Sequence, residues 1–318
     1  MTATGAPFGA LLHVGTIVVD LVLEVPALPQ RGGDVASTSG TATAGGGFNV
    51  ISAAARQGLP VRYAGPHGSG PFGDIARAAL LVEGVEIVQQ ARPDVDTGLV
   101  VTMVDADGER TFVTTPSALS GPTAAELDLV RPAPGEVVYL SGYGLLHDGA
   151  RRVLLAWLGG LGADVPVVLD PGPLVGEVPA QDLATVLGRT DWLSCNAAEA
   201  SLLTGCPDAV EAARALAAGS GCRGVVVRTG AQGCVVTGPG GAVVRVPGAA
   251  VTAVDTTGAG DTHTGVLLAA LAAGLPLERA ALRANHAAAC SVTRRGPATA
   301  PTAGELAVWL AHEAAHGP

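Results

Sequence analysis

No lysine occurs among the 318 residues, and all 18 lysine-or-arginine positions are arginine. That absence excludes mechanisms built on a lysine, namely the phosphate-binding P-loop, the protein-kinase strand lysine, and Schiff-base or pyridoxal chemistry. Arginine must supply every fixed positive charge. Aromatic residues are also scarce, at 3%, so a surface that stacks nucleobases would lack rings. The net charge of −10 has the wrong sign for neutralising a phosphate backbone. Nucleic acid is not an expected partner. The five cysteines, Cys195, Cys206, Cys222, Cys234 and Cys290, show no C-x-x-C pair and no metal spacing. They predict reduced structural thiols and a cytoplasmic location. Residues 1–12 lack the basic start of a signal peptide, and the longest helical apolar run, 262–275, is too short to span a bilayer and contains His263.

Hydrophobic residues make up 48% and charged residues 14%, enough for a sizeable core built from Ala, Val and Leu. Apolar runs at 11–19, 61–64, 137–140, 165–169, 192–195 and 225–228 read as strands. They alternate with helical patterns at 48–57, 74–82, 149–158, 197–203, 209–218, 258–273 and 277–292. Such alternation predicts an α/β fold with a doubly wound, mostly parallel sheet flanked by helices. Two stretches depart from it. Residues 20–25 with 34–43, and 98–104 with 109–115, alternate polar and apolar, and the second pair closes on Asp105-Ala106-Asp107-Gly108. They predict a small β-sheet lid, within about 18–43 and 97–116, on one α/β domain spanning 1–318.

Three segments carry chemistry. In Val254-Asp255-Thr256-Thr257-Gly258-Ala259-Gly260-Asp261, small residues let backbone N–H groups converge at a helix start, which holds an anion without a lysine. Asp261 then falls in the first turn, where the helix dipole is expected to keep it ionised and able to take a proton from a hydroxyl. Gly45-Gly46-Gly47-Phe48-Asn49 allows close approach to backbone and offers an amide to a sugar hydroxyl. Asn196-Ala197-Ala198-Glu199 places an amide and a carboxylate on one helical face, suited either to Mg²⁺ held through waters or to a solvated helix start. Gly68-Ser69-Gly70-Pro71-Phe72-Gly73 matches a dinucleotide fingerprint, with Asp94 near the spacing of its acidic partner. Pro71 and its position outside the first strand–helix unit count against it.

Taken in order, these segments resemble the ribokinase (PfkB) family of carbohydrate and nucleoside kinases, from about residue 14 to residue 301. Asp20 follows the first strand, Gly-Gly-x-x-Asn ends at Asn49, and Phe72-Gly73-Asp74 opens a helix. Asn196-x-x-Glu199, Gly230-x-x-Gly233, Asp255-Thr-Thr-Gly-Ala-Gly-Asp261 and Ala284-Asn285 through Gly296 follow. The resemblance implies transfer of the γ-phosphoryl group of ATP to a hydroxyl of a pentose or ketohexose. It assigns Asp261 as base, Gly258, Ala259 and Gly260 as anion hole, and Asp20, Gly46, Gly47 and Asn49 as substrate contacts. Asn196, Arg228, Gly230, Gly233 and Asn285 fall on the nucleotide side, and Glu199 at Mg²⁺. Asp255 and Thr257, with backbone oxygens near Val292 and Arg295, fall at a monovalent cation, K⁺.

This chain departs from the family pattern at Phe48, at His67 and at His263. Those departures bear on the substrate. A nucleoside acceptor is the alternative within the family, for which Phe48, Phe112 and Tyr143 are the available rings. An NAD-dependent oxidoreductase using 68–73 is the alternative from another class, and a sugar-binding regulator with a dead site is a third. Exposed lid edges predict a homodimer closed by lid pairing.

Overall fold

The computed structural model describes residues 6–115 and 121–316; position 116 at the end of the expected lid lies outside them. The chain opens on β1 (Ala10–His13), then leaves the main sheet for β2 (Ile17–Glu24) and β3 (Ser39–Gly46) before α1 (Gly47–Arg56). After β4 (Val61–Tyr63), α2 (Pro71–Val82) and the short β5 (Glu86–Ile87), a second excursion forms β6 (Gly98–Val104) and β7 (Arg110–Thr114). Regular alternation follows α3 (Ala124–Asp128), through β8 (Glu136–Ser141), α4 (Asp148–Gly159), β9 (Val167–Asp170) and α5 (Ala180–Arg189). It continues through β10 (Trp192–Asn196), α6 (Ala197–Thr204), α7 (Ala209–Ser220) and β11 (Gly224–Arg228). A hairpin of β12 (Gly233–Thr237) and β13 (Val243–Pro247) precedes α8 (Ala259–Ala272), α9 (Leu277–Ser291) and α10 (Ala303–His316).

The main sheet has nine strands in the order β13-β12-β11-β10-β9-β8-β1-β4-β5. It is parallel except at one edge, where β12 pairs antiparallel with both β11 and β13. Alternate strand residues feed two apolar layers. Leu11, Val137 and Val226 pack beneath α1, α8 and α9, while Leu12, Val138 and Val225 pack beneath α4 to α7. Each fully buried Val or Leu contributes roughly 1.5–3 kcal/mol, so the two layers dominate stability. Among the described residues no helix is long and apolar enough to cross a membrane.

The lid is the separate sheet β3-β2-β6-β7. Its centre is a parallel pairing of β2 with β6 from Val18↔Gly98 to Glu24↔Val104. The expected single strand over 11–19 is therefore two strands in two sheets. The chain turns out of the main sheet at Gly15, where a β-carbon would stand 2.8 Å from the His13 ring, and continuous apolarity on both sides hides that turn. The short β5 and α3, together with α5, α10 and the β12–β13 hairpin, were not anticipated; the hairpin turns on Gly238-Pro239-Gly240-Gly241, a visible turn signal. α8 crosses α1 closely enough that a β-carbon on Gly265 would meet the Val50 carbonyl at 2.6 Å. That crossing carries Asn49 to the start of α8.

Candidate active site

Three apolar strands end in polar side chains at their carboxyl ends: β9 in Asp170, β10 in Asn196 and β11 in Arg228. Ligands of open parallel sheets bind beyond those ends. α8 starts there, with Gly258 as its N-cap in the left-handed region at φ 71°. The Ala259 N–H donates to the Thr256 carbonyl at 3.2 Å and that of Thr262 to Gly258 at 2.8 Å. The N–H groups of Gly260 and Asp261 meet no acceptor among the described residues. Free donors at the positive end of a helix form an anion cradle. Beneath the cradle lies the Arg228 guanidinium, 3.3 Å from where a β-carbon on Gly260 would stand. It pairs with Asp170 at 3.1 Å and Glu199 at 3.7 Å, and donates to the hydroxyls of Ser194 and Thr264. Burial opposes its charge, but the two carboxylates hold it protonated.

Asp261 is half-buried in the first turn of α8 and accepts a 3.0 Å hydrogen bond from Asn49 Nδ2. The Asn49 Oδ1 in turn accepts from the Ala298 N–H at 2.9 Å, so this amide orients the carboxylate. The expected lowering of the Asp261 pKa is reversed. Burial, then the Asp170 charge, push it up to about 6, outweighing the Asn49 hydrogen bond and Arg228. The helix end offers only about half a unit charge, too little to offset the desolvation of this half-buried carboxylate. Asp20 is likewise raised to about 6 by burial, and its charge reaches Asp261. It packs on Gly45, where a β-carbon would lie 1.9 Å from Asp20 Oδ2. Asp20 opens onto a cleft of about 760 Å³ between lid and body, which Thr41, Thr43, Thr102, Arg110 and Phe112 also line.

The chain matches the pfkB family carbohydrate kinase over residues 10–303. It belongs to the pfkB family. It is 32% identical over 317 residues to the uncharacterized sugar kinase YegV of Escherichia coli, covering 96% of this chain and 94% of that one. The structure of Arabidopsis thaliana ribokinase complexed with ribose and ATP superposes with a TM-score of 0.79 at 26% identity, covering 95% of this chain and 99% of that one. Fructokinase from Vibrio cholerae, bound to fructose, ADP and calcium, gives a TM-score of 0.77 at 26% identity over 95% of this chain and 99% of its own. The protein is thus a phosphotransferase with an alcohol acceptor, on a ribokinase-like fold.

Within this pfkB fold the remaining expected residues are dispersed. Asn196 and Glu199 form a reciprocal helix cap, with Glu199 Oε2 accepting the Asn196 N–H at 2.7 Å and Asn196 Oδ1 accepting the Glu199 N–H at 2.9 Å. Glu199 is otherwise turned to Arg228, and burial and Asp170 push its pKa up. The Asn285 amide donates to the Val246 and Pro247 carbonyls and faces His263 at 3.1 Å, an internal tie. His263 is core, with burial holding it neutral at about 3. Gly230 and Gly233 flank the turn between β11 and β12. Gly46 and Gly47 carry the chain from β3 into α1, and Phe48 is buried in the core. Asp255 accepts the N–H groups of Thr257 and Gly296, at 2.8 and 2.9 Å, and an arginine from the lid, Arg110, at 2.6 Å. The Val292 carbonyl accepts two N–H bonds, and the Arg295 side chain pairs with Glu24.

The dinucleotide reading of 68–73 fails on geometry. The Phe72 and Gly73 N–H groups, at the start of α2, donate to the Asp96 carboxylate at 3.1 and 2.8 Å. A carboxylate already fills the place a pyrophosphate would take. Sequence reasoning missed Asp170 and Arg110, and it read Gly45 as room for a ligand where the structure seats the Asp20 carboxylate on it. A lone acid closing an apolar strand was a usable signal for Asp170; Arg110 carried none.

Proposed function

We propose that this chain transfers the γ-phosphoryl group of ATP to a hydroxyl of a neutral sugar of the pentose or ketohexose class. The observation that carries it is the convergence of the free Gly260 and Asp261 N–H groups with the Asp261 carboxylate, over a buried arginine. The N–H pair and Arg228 stabilise charge on the transferred group, while Asp261 orients the attacking hydroxyl and takes its proton. Phosphoryl transfer needs this positioning and electrostatics more than covalent chemistry. Ribose and ATP in one solved relative, and fructose and ADP in another, support both substrates.

Among the described residues no group of three or more His, Cys, Asp or Glu is placed to hold a metal ion. The residues here fit a hydrated Mg²⁺ carried on the nucleotide phosphates, near Glu199, rather than a protein cage. Such an ion neutralises phosphate charge. A neutral sugar suits this cleft because it is lined by hydroxyls and acids, and its two arginines, Arg110 and Arg295, are paired with Asp255 and Glu24. Phe48 is withdrawn into the core, which weakens a nucleoside reading. The lid edge near Phe112 and Val113, 60% and 53% exposed, suits a second copy pairing lid to lid. Labelled ATP with Mg²⁺ and a panel of neutral sugars, sugar phosphates and nucleosides tests the reading. Turnover confined to nucleosides or sugar phosphates would refute the acceptor class, and no turnover at all would refute the kinase.

Gly45→Ala should evict the Asp20 carboxylate from its seat. The sugar KM is expected to rise roughly tenfold or more while the ATP KM stays put. An unchanged sugar KM would remove Asp20 from the acceptor site.

A further inference from the structure

The Arg110 guanidinium crosses from the lid to the loop that precedes α8. Its Nη2 lies 2.6 Å from Asp255 Oδ1, and its Nη1 donates to Thr257 Oγ1 at 2.7 Å. The guanidinium therefore bridges the first and third residues of Asp255-Thr256-Thr257, directly before the anion cradle. The approach is built into the hairpin. Arg110 pairs with Val104 just past the β6–β7 turn, and Asp105 Oδ1 stiffens that turn by accepting the Asp107 and Glu109 N–H groups, both at 3.0 Å. The Asp255 side chain is 10% exposed and that of Arg110 26%, so the pair is screened less than a surface bridge. A second tie crosses the same cleft between Arg295 and Glu24, but both side chains there are exposed.

A monovalent cation would need several oxygen lone pairs converging on one point. Two of the groups expected to hold one, Asp255 and the Val292 carbonyl, are already engaged by other donors. Asp255 Oδ1 already takes the Thr257 N–H and Arg110, Oδ2 takes the Gly296 N–H, and the Val292 carbonyl accepts from Val254 and Asp255 at 2.7 and 3.0 Å.

We propose that Arg110 is a positioning residue of the lid, supplying at Asp255 and Thr257 the fixed positive charge that shapes the anion-hole loop in place of a monovalent metal ion. The inference rests on the kinase reading of that loop. Its consequence is mechanical. The charge belongs to a strand of the lid sheet, so the loop is fully shaped only while the lid lies over the cleft. Phosphoryl transfer is thereby tied to a covered acceptor, and water is disfavoured as a competing one.

The test compares the wild type, Arg110→Ala and Arg110→Lys in KCl and in tetramethylammonium chloride at equal ionic strength. Wild-type turnover and Tm should be the same in both salts. Arg110→Ala should lose kcat roughly tenfold with little change in the ATP KM, and recover part of it with added guanidinium. Arg110→Lys should fall between, because an ammonium cannot bridge both partners in the same fork. Hydrogen exchange across 254–258 should quicken in Arg110→Ala. Activation of the wild type by K⁺, or an Arg110→Ala enzyme with unaltered kcat and unaltered exchange at 254–258, would overturn the proposal. The Tm and exchange measurements need no turnover, so a failure of the kinase reading would appear separately, as inactivity with those two results intact.

Discussion

Asp261→Asn should lower kcat by roughly 10²–10⁴-fold while leaving ATP affinity nearly unchanged, since it removes charge and basicity but keeps size and the helix start. The same substitution should stabilise the fold at pH 7. The wild-type carboxyl titrates at about 6 in the folded protein against an ordinary 3.8, because burial and the Asp170 charge disfavour the anion. A group whose folded pKa is raised opposes folding above that pKa, and the opposition fades as pH falls through it. The full shift corresponds to about 3 kcal/mol; the partial solvent access of Asp261 reduces the expected gain to on the order of 1 kcal/mol. Wild-type kcat/KM should then fall as the pH drops below about 6, by up to two protons because Asp20 titrates in the same range. Near-normal turnover of folded Asp261→Asn would end the assignment of the base, and an acid limb near pH 4 would end the account of its environment.

Arg228→Met should be the most destabilising single change at this site, by about 3–5 kcal/mol at pH 8, because it strands buried carboxylates without their counter-charge. Asp170 and Glu199 pair with Arg228 directly, and Asp261 lies within reach of its charge. The loss should shrink at pH 5. Burial and Asp170 already raise the pKa values of Glu199 and Asp261, and losing Arg228 raises them further, so acid neutralises the stranded charges. Urea unfolding at the two pH values measures this, and an equal loss at both would mean that Arg228 acts through packing alone. Because Gly260 sits on the guanidinium, kcat should fall even where the variant remains folded.

How much of the site was legible in the sequence depended on how local its parts are. The start of α8 was readable because its small residues, its cap and Asp261 are neighbours in the chain, and a helix N-terminus binds an anion by its own geometry. The lid hairpin was readable because its turn residues set its register. The 68–73 match was disfavoured by Pro71 and its place in the chain, but its local pattern does not reveal that Asp96, over twenty residues on, already caps that helix. Asn49 looked like a free amide until α1 crossed α8 and placed it between Asp261 and Ala298.

By itself the sequence determined that no lysine could serve the phosphates, that an α/β sheet would carry a small β lid, and that an anion-binding helix start would hold an acid in its first turn. The tertiary structure alone decided what surrounds that acid. Strand order brings the carboxyl ends of β9, β10 and β11 together beneath α8, which gathers Asp170, Glu199 and Arg228 from three separate segments. Lid placement sets Arg110 against Asp255 and Thr257, the latter 147 residues away in sequence. Periodicity and turn chemistry report on residues a few positions apart. Charge pairing across two sheets depends on register and layer, which exist only once the chain has folded.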